Sequence, residues 1–325
     1  MDERSMSRPR LLITGAGGFC GEHACRYFAD AGWDVTALVH RLPQQGEAEW
    51  LRCAQSVIRC DLIDLNETKE ALVRVQPGYV LHLAGMNAVP PSWSDPADVL
   101  HSNVMGTVHL LEAVRRLGGG DGSGKDGIVK CRVVVAGSML RFPLPPAGEL
   151  PSPPHPYSLS KTMQVLAAQS WAALYGMDVV VAEPSNLIGP GRSSGICALI
   201  ARYAAAAERA AAAGTTPPAP FRLSSRTENR DVLDVRDAVR AYDLLLRQGE
   251  RGRIYPVASG TMRTLGELAD TFDSLASCPL QWSVGESDSP SPAPVDCHAV
   301  RALGWSPRIP LMQSLQDALE TARKP

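Results

Sequence analysis

The chain has 325 residues, of which 45% are hydrophobic and 20% are charged, and its formal net charge is −2. This is the composition of an ordinary soluble globular protein, with enough residues for one large core or two unequal domains. Because the basic residues are scattered, neither a nucleic-acid backbone nor an anionic membrane is expected as a partner. The charged start, MDERSMSRPR, fits neither a signal peptide nor a membrane span, so a cytoplasmic protein is expected.

Eight cysteines and seven histidines are distributed along the chain without the spacing of a metal site. No Cys-x-x-Cys pair occurs, and several cysteines lie within apolar runs, where a thiol behaves as a small hydrophobic group. Neither a disulfide framework nor a metal site is therefore expected.

Short β-branched runs alternate with longer helical patterns through the first two thirds of the chain. In order, the segments are LLIT, HACRYFADAG, DVTALVH, VIRCD, YVLHLAG, VLHSNVMGTVHLLEAVRRLG, CRVVVAGS, YSLSKTMQVLAAQSWAALYG and DVVVAEPS. Because the strand segments are apolar on both faces, they predict a parallel sheet that is covered by helices on both sides. The predicted fold class is α/β, with a Rossmann-type doubly wound parallel sheet and a smaller C-terminal substrate lobe.

The alternation of predicted strands and helices ends beyond residue 186. An alanine-rich helix, a TTPPAP break, a second helix and a Pro/Ser-rich stretch follow one another there. This change predicts a second, smaller lobe that closes over the first. We assign residues 8–184, with a returning segment at about 229–258, to the Rossmann-type domain that contains this sheet. We assign residues 185–228 and 259–325 to a substrate-binding lobe.

A glycine-rich segment, TGAGGFCGEH, stands immediately after the first predicted strand and places Gly15, Gly18 and Gly21 in GxxGxxG spacing. One glycine permits a tight turn, one lets backbone N–H groups approach a pyrophosphate, and one allows close helix packing, while the helix N-terminus adds partial positive charge. Between a first strand and a first helix this pattern predicts a dinucleotide site, with a glycine-rich turn that binds nothing as the alternative.

The end of the second predicted strand bears on the choice of dinucleotide. An acidic residue there would bind the 2′-hydroxyl of the adenosine ribose, but TALVHR has Val39 at that position, followed by His40 and Arg41. Positive charge suits a 2′-phosphate instead. NADP(H) is therefore favoured and NAD(H) stays open, the alternative for Arg41 being a solvated loop residue.

Three groups that can handle a proton are predicted to meet at the carboxyl end of the sheet. The fifth predicted strand leads to Ser138, and HPYSLSK places Tyr157 and Lys161 one helical turn apart on one face. A tyrosine pKa of about 10 is too high for proton exchange at neutral pH unless a cation such as Lys161 stabilises the phenolate. Ser138 would hold a substrate oxygen against Tyr157 while a hydride moves to or from nicotinamide C4.

Several motifs together resemble a known family. TGAGGFCG, CDL, HLAG, NVMGT, AGS, PYSLSK and RDVLDVRD stand in the order and approximate spacing of the extended short-chain dehydrogenase/reductases, the nucleotide-sugar epimerase, dehydratase and reductase family. VPPSWSDP, SNLIGPG, NRDVLDVRDAVRAYDLLL and LGWSPRIPLMQSLQDAL further resemble the GDP-4-dehydro-6-deoxy-mannose reductases. The resemblance implies a nucleotide-sugar substrate and a homodimer that pairs through helices at 98–117 and 157–175.

The resemblance also implies individual contacts. The cofactor contacts would include the three glycines, Tyr157, and Lys161 at the nicotinamide ribose. The others would be Phe19, Cys20, Asp61, Leu62, Leu83 and Ala84. The substrate contacts would be Ser92, Ser138, Asn186 and Arg230, with the arginine at the diphosphate. Judged without the resemblance, Asn186 could equally be a turn residue, and Arg230 could pair with Asp231 or Asp234.

Leu140 distinguishes between the reactions of the family. Dehydratases carry a carboxylate at this position, two residues after the Ser or Thr, so one of the two proton handlers of dehydration is missing here. The expected activity is NADP-dependent reduction of the 4-keto group of a GDP- or dTDP-activated 6-deoxysugar, with Tyr157 as proton donor. A 4-epimerase that resembles UDP-glucose 4-epimerase is the alternative, and a non-catalytic NADP-binding sensor is a third hypothesis.

Three departures from the family pattern concern the substrate end. Phe142-Pro143 replaces a usual Tyr-Gly, Glu183 stands where an arginine is common, and the stretch 283–296 contains no arginine. Because of these departures, the substrate need not be a GDP-sugar.

Overall fold

The computed structural model describes residues 8–42, 52–117, 130–287 and 292–324. The chain divides into two compact units. The first unit comprises the chain up to Glu183 together with Tyr242–Tyr255, and the second comprises Pro184–Ala241 and the chain from Pro256 onward.

The strands are listed here in chain order. They are β1 (Arg10–Thr14), β2 (Asp34–Val39), β3 (Ser56–Arg59), β4 (Tyr79–His82), β5 (Arg132–Ala136), β6 (Val179–Pro184), β7 (Asn186–Ile188), β8 (Phe221–Leu223), β9 (Asn229–Asp234), β10 (Ile254–Val257), β11 (Met262–Thr264) and β12 (Trp282–Val284).

The α-helices follow the same order. They are α1 (Phe19–Asp30), α2 (Leu65–Val75), α3 (Val89–Ser94), α4 (Pro96–Leu100), α5 (Gly106–Arg116), α6 (Pro156–Tyr175), α7 (Ile196–Ala213), α8 (Val235–Gln248), α9 (Leu265–Leu275), α10 (His298–Ala302) and α11 (Leu311–Arg323). A π-helical turn, His101–Met105, separates α4 from α5, so the helix predicted over 98–117 is divided. Across the described ranges, no helix combines the length and apolar character that a bilayer crossing requires.

The large sheet has the strand order β10-β6-β5-β4-β1-β2-β3, and each adjacent pair from β6 to β3 is parallel. Because β1 lies between β2 and β4, the chain crosses over the sheet in both directions, which is the doubly wound arrangement. Leu11, Leu12 and Ile13 are fully buried although successive residues of a strand face opposite sides. Both faces of the sheet are therefore covered, and the predicted fold class is confirmed.

The second unit contains a three-stranded sheet, β11-β9-β7, and a two-stranded sheet, β12-β8. Helices α7, α9 and α11 form its core with the strands, and they bury Ile200, Phe272 and Leu315 completely. The sequence-based assignment placed 229–258 in the first unit, whereas β9 belongs to the second. The reason is its pairing, parallel to β7 and antiparallel to β11.

Candidate active site

Glycines form the turn between β1 and α1, where backbone atoms leave no room for a side chain. At Gly15, with φ +66°, a Cβ would lie 2.6 Å from the backbone nitrogen of Ala84, and at Gly21 it would lie 2.3 Å from the Gly15 carbonyl oxygen. Gly18 is the N-cap of α1 and offers no side chain to the first turn. First-turn N–H groups have no partner inside their helix, so this cradle fits the pyrophosphate of a dinucleotide.

Two predicted contacts of the cradle, Phe19 and Cys20, begin α1. The Phe19 ring meets His23 edge to face, with ring centroids 5.6 Å apart. Burial raises the pKa of the Cys20 thiol to about 12. Cys20 is therefore a neutral thiol at physiological pH.

The segment that follows β4 lies directly against the cradle. The Leu83 N–H donates to the Thr14 carbonyl at 3.2 Å, and the Ala84 N–H donates to the Thr14 hydroxyl at 3.2 Å. The backbone of both residues thus meets the end of β1, beside Gly15.

The predicted adenosine end lies after β2 and β3. His40 and Arg41 are both exposed, and the His40 Nδ1 is 3.8 Å from the Asp61 carboxylate, which also accepts the Ile63 N–H at 3.0 Å. The Leu62 carbonyl accepts the ring N–H of His109 at 3.0 Å. Among the described residues, Arg41 has no acidic partner.

The proposed reacting groups converge within the first unit. Ser138 follows β5, and Tyr157 and Lys161 lie on the first turns of α6, with exposed fractions of 8%, 5% and 3%. The Ser138 hydroxyl exerts a hydrogen-bonding effect that lowers the pKa of Tyr157. The Lys161 Nζ lies 6.0 Å from the centre of the Tyr157 ring and donates to the Ala136 carbonyl at 3.2 Å. The sequence thus identified three residues that the fold brings together.

Burial dominates the ionisation of this cluster. It raises the pKa of Tyr157 above its usual value, against the effect of the Ser138 hydrogen bond, and it lowers the pKa of Lys161 to about 8. At neutral pH Tyr157 therefore holds its proton and Lys161 is mainly cationic. These are the protonation states required of a proton donor and its supporting cation.

Asn103 was missed as a site residue by the sequence reasoning, which used NVMGT only as a family motif. Its side chain accepts the Met86 N–H at 2.8 Å and donates to the Met86 carbonyl at 3.0 Å and to Ser160 at 2.9 Å. It therefore joins the segment after β4 to the helix that carries Tyr157. The sequence could have indicated Asn103, because it is an amide on the side of a predicted helix that is otherwise apolar and therefore buried.

The predicted substrate residues are divided between the two units. Ser92, in the first unit, is buried and donates to the Val89 carbonyl at 2.6 Å. In the second unit, the Asn186 amide donates to the Asp231 carbonyl at 2.9 Å. The Arg230 guanidinium pairs with the Glu228 carboxylate at 2.6 Å, and not with Asp231 or Asp234, the two partners that the sequence suggested.

Comparison with known proteins decides the family. The model of the NAD dependent epimerase/dehydratase family matches residues 11–258. The chain belongs to this family. As the resemblance implied, it is therefore an NAD(P)-dependent enzyme of the extended short-chain dehydrogenase/reductase type.

Individual members of the family match over nearly their whole length. The chain is 31% identical to the GDP-6-deoxy-D-mannose reductase of Pseudomonas aeruginosa, over 95% of this chain and 96% of that protein. It is 26% identical to a UDP-glucose 4-epimerase of Mycolicibacterium smegmatis, over 97% and 98%. The structure of RMD from P. aeruginosa complexed with NADPH matches with a TM-score of 0.77 and 28% identity, over 97% of this chain and 99% of that chain.

Proposed function

We propose that the protein uses NADPH to reduce the 4-keto group of a nucleotide-activated 6-deoxysugar, linked to GDP or dTDP. The observation that carries the proposal is the buried cluster of Ser138, Tyr157 and Lys161, in which Tyr157 keeps its proton and the Lys161 Nζ lies 6.0 Å from the centre of the Tyr157 ring. The similarity to a GDP-6-deoxy-D-mannose reductase supports the substrate class.

Ser138 and Tyr157 have distinct tasks in this reaction. The Ser138 oxygen accepts the Leu140 N–H at 3.1 Å, which leaves its hydroxyl proton for the keto oxygen of the sugar. Tyr157 then delivers its own proton to that oxygen, and the Lys161 ammonium stabilises the phenolate that remains. Bound NADPH supplies the hydride. Leu140 is exposed and cannot transfer a proton, so the cluster lacks the acid or base that dehydration adds.

Two features support NADP(H) as the cofactor. The Gly15, Gly18 and Gly21 cradle accommodates the pyrophosphate. The exposed Arg41, after β2, offers a guanidinium to the 2′-phosphate where an NAD enzyme would carry a carboxylate.

Residues of the second unit would hold the sugar nucleotide. Arg230 is one third exposed although it is paired with Glu228, so its guanidinium is accessible to a diphosphate. Asn186 is exposed while its amide is anchored on the Asp231 carbonyl.

The homodimer belongs to the same proposal. Apolar and aromatic side chains stand exposed along α6, at Met163, Leu166, Leu174 and Tyr175. A second copy of the chain that covers this face would remove them from water. Light scattering coupled to size exclusion is expected to give twice the mass of one chain.

The decisive experiment is a screen of NADPH oxidation against GDP- and dTDP-linked 4-keto-6-deoxysugars, followed by analysis of the product. We expect one NADPH to be oxidised for each 4-hydroxy sugar formed. Interconversion of C4 epimers without net NADPH use, by a protein that retains NAD through purification, would establish the epimerase instead.

A further inference from the structure

A chain of buried polar side chains leads from Lys161 away from the candidate site and into the sheet. The Lys161 ammonium donates to Gln164 Oε1 at 2.9 Å, and Gln164 Nε2 donates to the Thr107 hydroxyl at 2.8 Å. That hydroxyl is 2.8 Å from His82 Nε2, and His82 Nδ1 is 2.7 Å from the Thr14 hydroxyl. No member of this chain is more than 3% exposed.

The direction of these hydrogen bonds follows from one of them. The Thr107 hydroxyl donates its single proton to the Asn103 carbonyl at 2.7 Å, so only its lone pairs remain for other neighbours. Gln164 must therefore present its NH₂ group to Thr107, and His82 must present an Nε2–H.

With Nε2 protonated, a neutral His82 leaves Nδ1 bare, so that Nδ1 accepts from the Thr14 hydroxyl. Burial lowers the pKa of His82 to about 3, with the Lys161 charge acting in the same direction, which agrees with this tautomer. The Thr14 oxygen in turn accepts the Ala84 N–H at 3.2 Å. Every member of the chain thus has a partner of the right kind.

This network permits only one orientation of the Gln164 amide. A flipped amide would direct its NH₂ group at the Lys161 ammonium and would bring its oxygen against the lone pairs of Thr107. Both contacts are repulsive, and inside a protein they are poorly screened. The amide oxygen of Gln164 is therefore fixed on the lysine.

We propose that Gln164 is a positioning residue that holds the Lys161 ammonium in place for Tyr157 and the cofactor, and that Thr107 and neutral His82 fix Gln164 in that role. The inference rests on the proposed function, because it takes Lys161 as the cation that serves both. Gln164 and the Ala136 carbonyl engage two of the three ammonium protons. The third is directed to the ligand.

The charge balance around Lys161 makes the proposal testable by pH. The titratable groups that face the ammonium are Tyr157 on its own helix and His82 on β4, and both are uncharged at neutral pH. Burial lowers the pKa of Lys161 to about 8. The Gln164 oxygen acts against this effect because it accepts a hydrogen bond from the charged form.

Two substitutions of Gln164 should shift the pH dependence of NADPH affinity in opposite directions. Gln164→Leu removes the acceptor. The alkaline limb of the pH profile, where NADPH affinity falls as Lys161 loses its proton, is therefore expected to move down by about one pH unit. Gln164→Glu places a carboxylate oxygen against the ammonium, and Thr107 can turn its hydroxyl proton from the Asn103 carbonyl to the second oxygen. The same limb is therefore expected to rise by about one unit. Affinity is measured by NADPH fluorescence across the pH range, without substrate, and turnover is measured in parallel.

A matched control lies on the same helix. Gln169 donates to the Gly252 carbonyl at 3.0 Å, so Gln169→Leu should leave the NADPH profile as in the wild type. Thr107→Val removes the acceptor that orients Gln164 and is expected to shift the limb downward, as Gln164→Leu does. It also provides a second route to the result if Gln164→Leu does not fold.

Shifts of the two Gln164 variants in the same direction, or profiles that match the wild type in folded variants, would overturn the proposal. So would a wild type whose NADPH affinity shows no alkaline limb. A wild type that shows the limb but reduces no keto-sugar would overturn the proposed function alone, because this binding experiment requires no substrate.

Discussion

The imidazole of His155 lies against the phenol ring of Tyr157, with ring centroids 6.0 Å apart and planes inclined by 27°. The same imidazole is the N-cap of α6, because its Nδ1 accepts the Ser158 N–H at 2.9 Å. A nitrogen that accepts this bond must be unprotonated, and burial lowers the pKa of His155 accordingly. One neutral histidine thus begins the helix and supports the proposed proton donor.

Substitution of His155 tests this cap. His155→Ala is expected to lower the free energy of unfolding by about 1 kcal/mol, whereas His155→Asn restores a side-chain acceptor and should recover most of it. Because the folded pKa lies below the unfolded value, the wild type should lose stability as pH falls below about 6.5. The asparagine variant should not show this loss of stability when thermal unfolding is measured at a series of pH values. The same pH dependence of stability in the wild type and in the asparagine variant would contradict the prediction.

The pair of Arg141 and Glu183 gives an asymmetric prediction for stability. Their side chains are hydrogen-bonded, but the carboxylate is buried whereas the guanidinium is partly exposed. Burial raises the pKa of Glu183 in spite of the arginine, so the wild type should lose stability as pH rises through that pKa. Glu183→Gln removes this loss and leaves a partly solvated arginine, so its unfolding free energy at neutral pH should stay within about 1 kcal/mol of the wild type.

Arg141→Met is the companion variant. It leaves the buried Glu183 carboxylate without its cation and is expected to lower the unfolding free energy by about 2 kcal/mol at neutral pH. Chemical denaturation measures both variants. Equal losses in the two would show that the ion pair, and not the buried carboxylate, determines the effect.

The glycine cradle predicts a steric loss of cofactor binding. Gly21→Ala would place a methyl group 2.3 Å from the Gly15 carbonyl oxygen, so the turn must open and NADPH affinity is expected to fall by about a hundredfold or more. Gly78→Ala is the control, since its Cβ would meet only the Arg10 carbonyl at 3.9 Å. Calorimetric titration of both variants with NADPH tests the difference, and similar affinities for the two would exclude the cradle.

Removal of the Tyr157 hydroxyl separates chemistry from cofactor binding. Tyr157→Phe should lower kcat by about a thousandfold, because the keto oxygen loses its proton donor, while NADPH affinity changes little. Turnover and NADPH titration are compared on the same preparation. Full activity in the variant would exclude a proton-transfer role for Tyr157.

Arg41 should affect one cofactor and not the other. Arg41→Ala removes the cation proposed for the 2′-phosphate, so NADPH affinity is expected to fall by about tenfold while NADH affinity is unchanged. Equal losses of NADPH and NADH affinity would mean that Arg41 does not bind the 2′-phosphate. His40→Ala, at the neighbouring position, shows whether the imidazole contributes.

Local sequence signals predicted most of the first unit. The apolar runs at β1 and β5 and the spacing of the glycines and of HPYSLSK are short-range patterns, and each reflects a local steric or periodic requirement. Long-range partners had no such signal: Thr107 meets Gln164 and His82 only because separate elements pack together. The same applies to β9, whose unit was set by its strand partners rather than by its own residues.

The network behind Lys161 also limits the path that protons can take. A primary amide neither gains nor loses a proton near neutral pH, so Gln164 interrupts any relay toward Thr107 and Thr14. The chain of hydrogen bonds therefore acts as an anchor and not as a proton wire. In the proposed reaction, Tyr157 is therefore expected to regain its proton from the side where Ser138 and the ligand lie rather than through Gln164, Thr107 and Thr14.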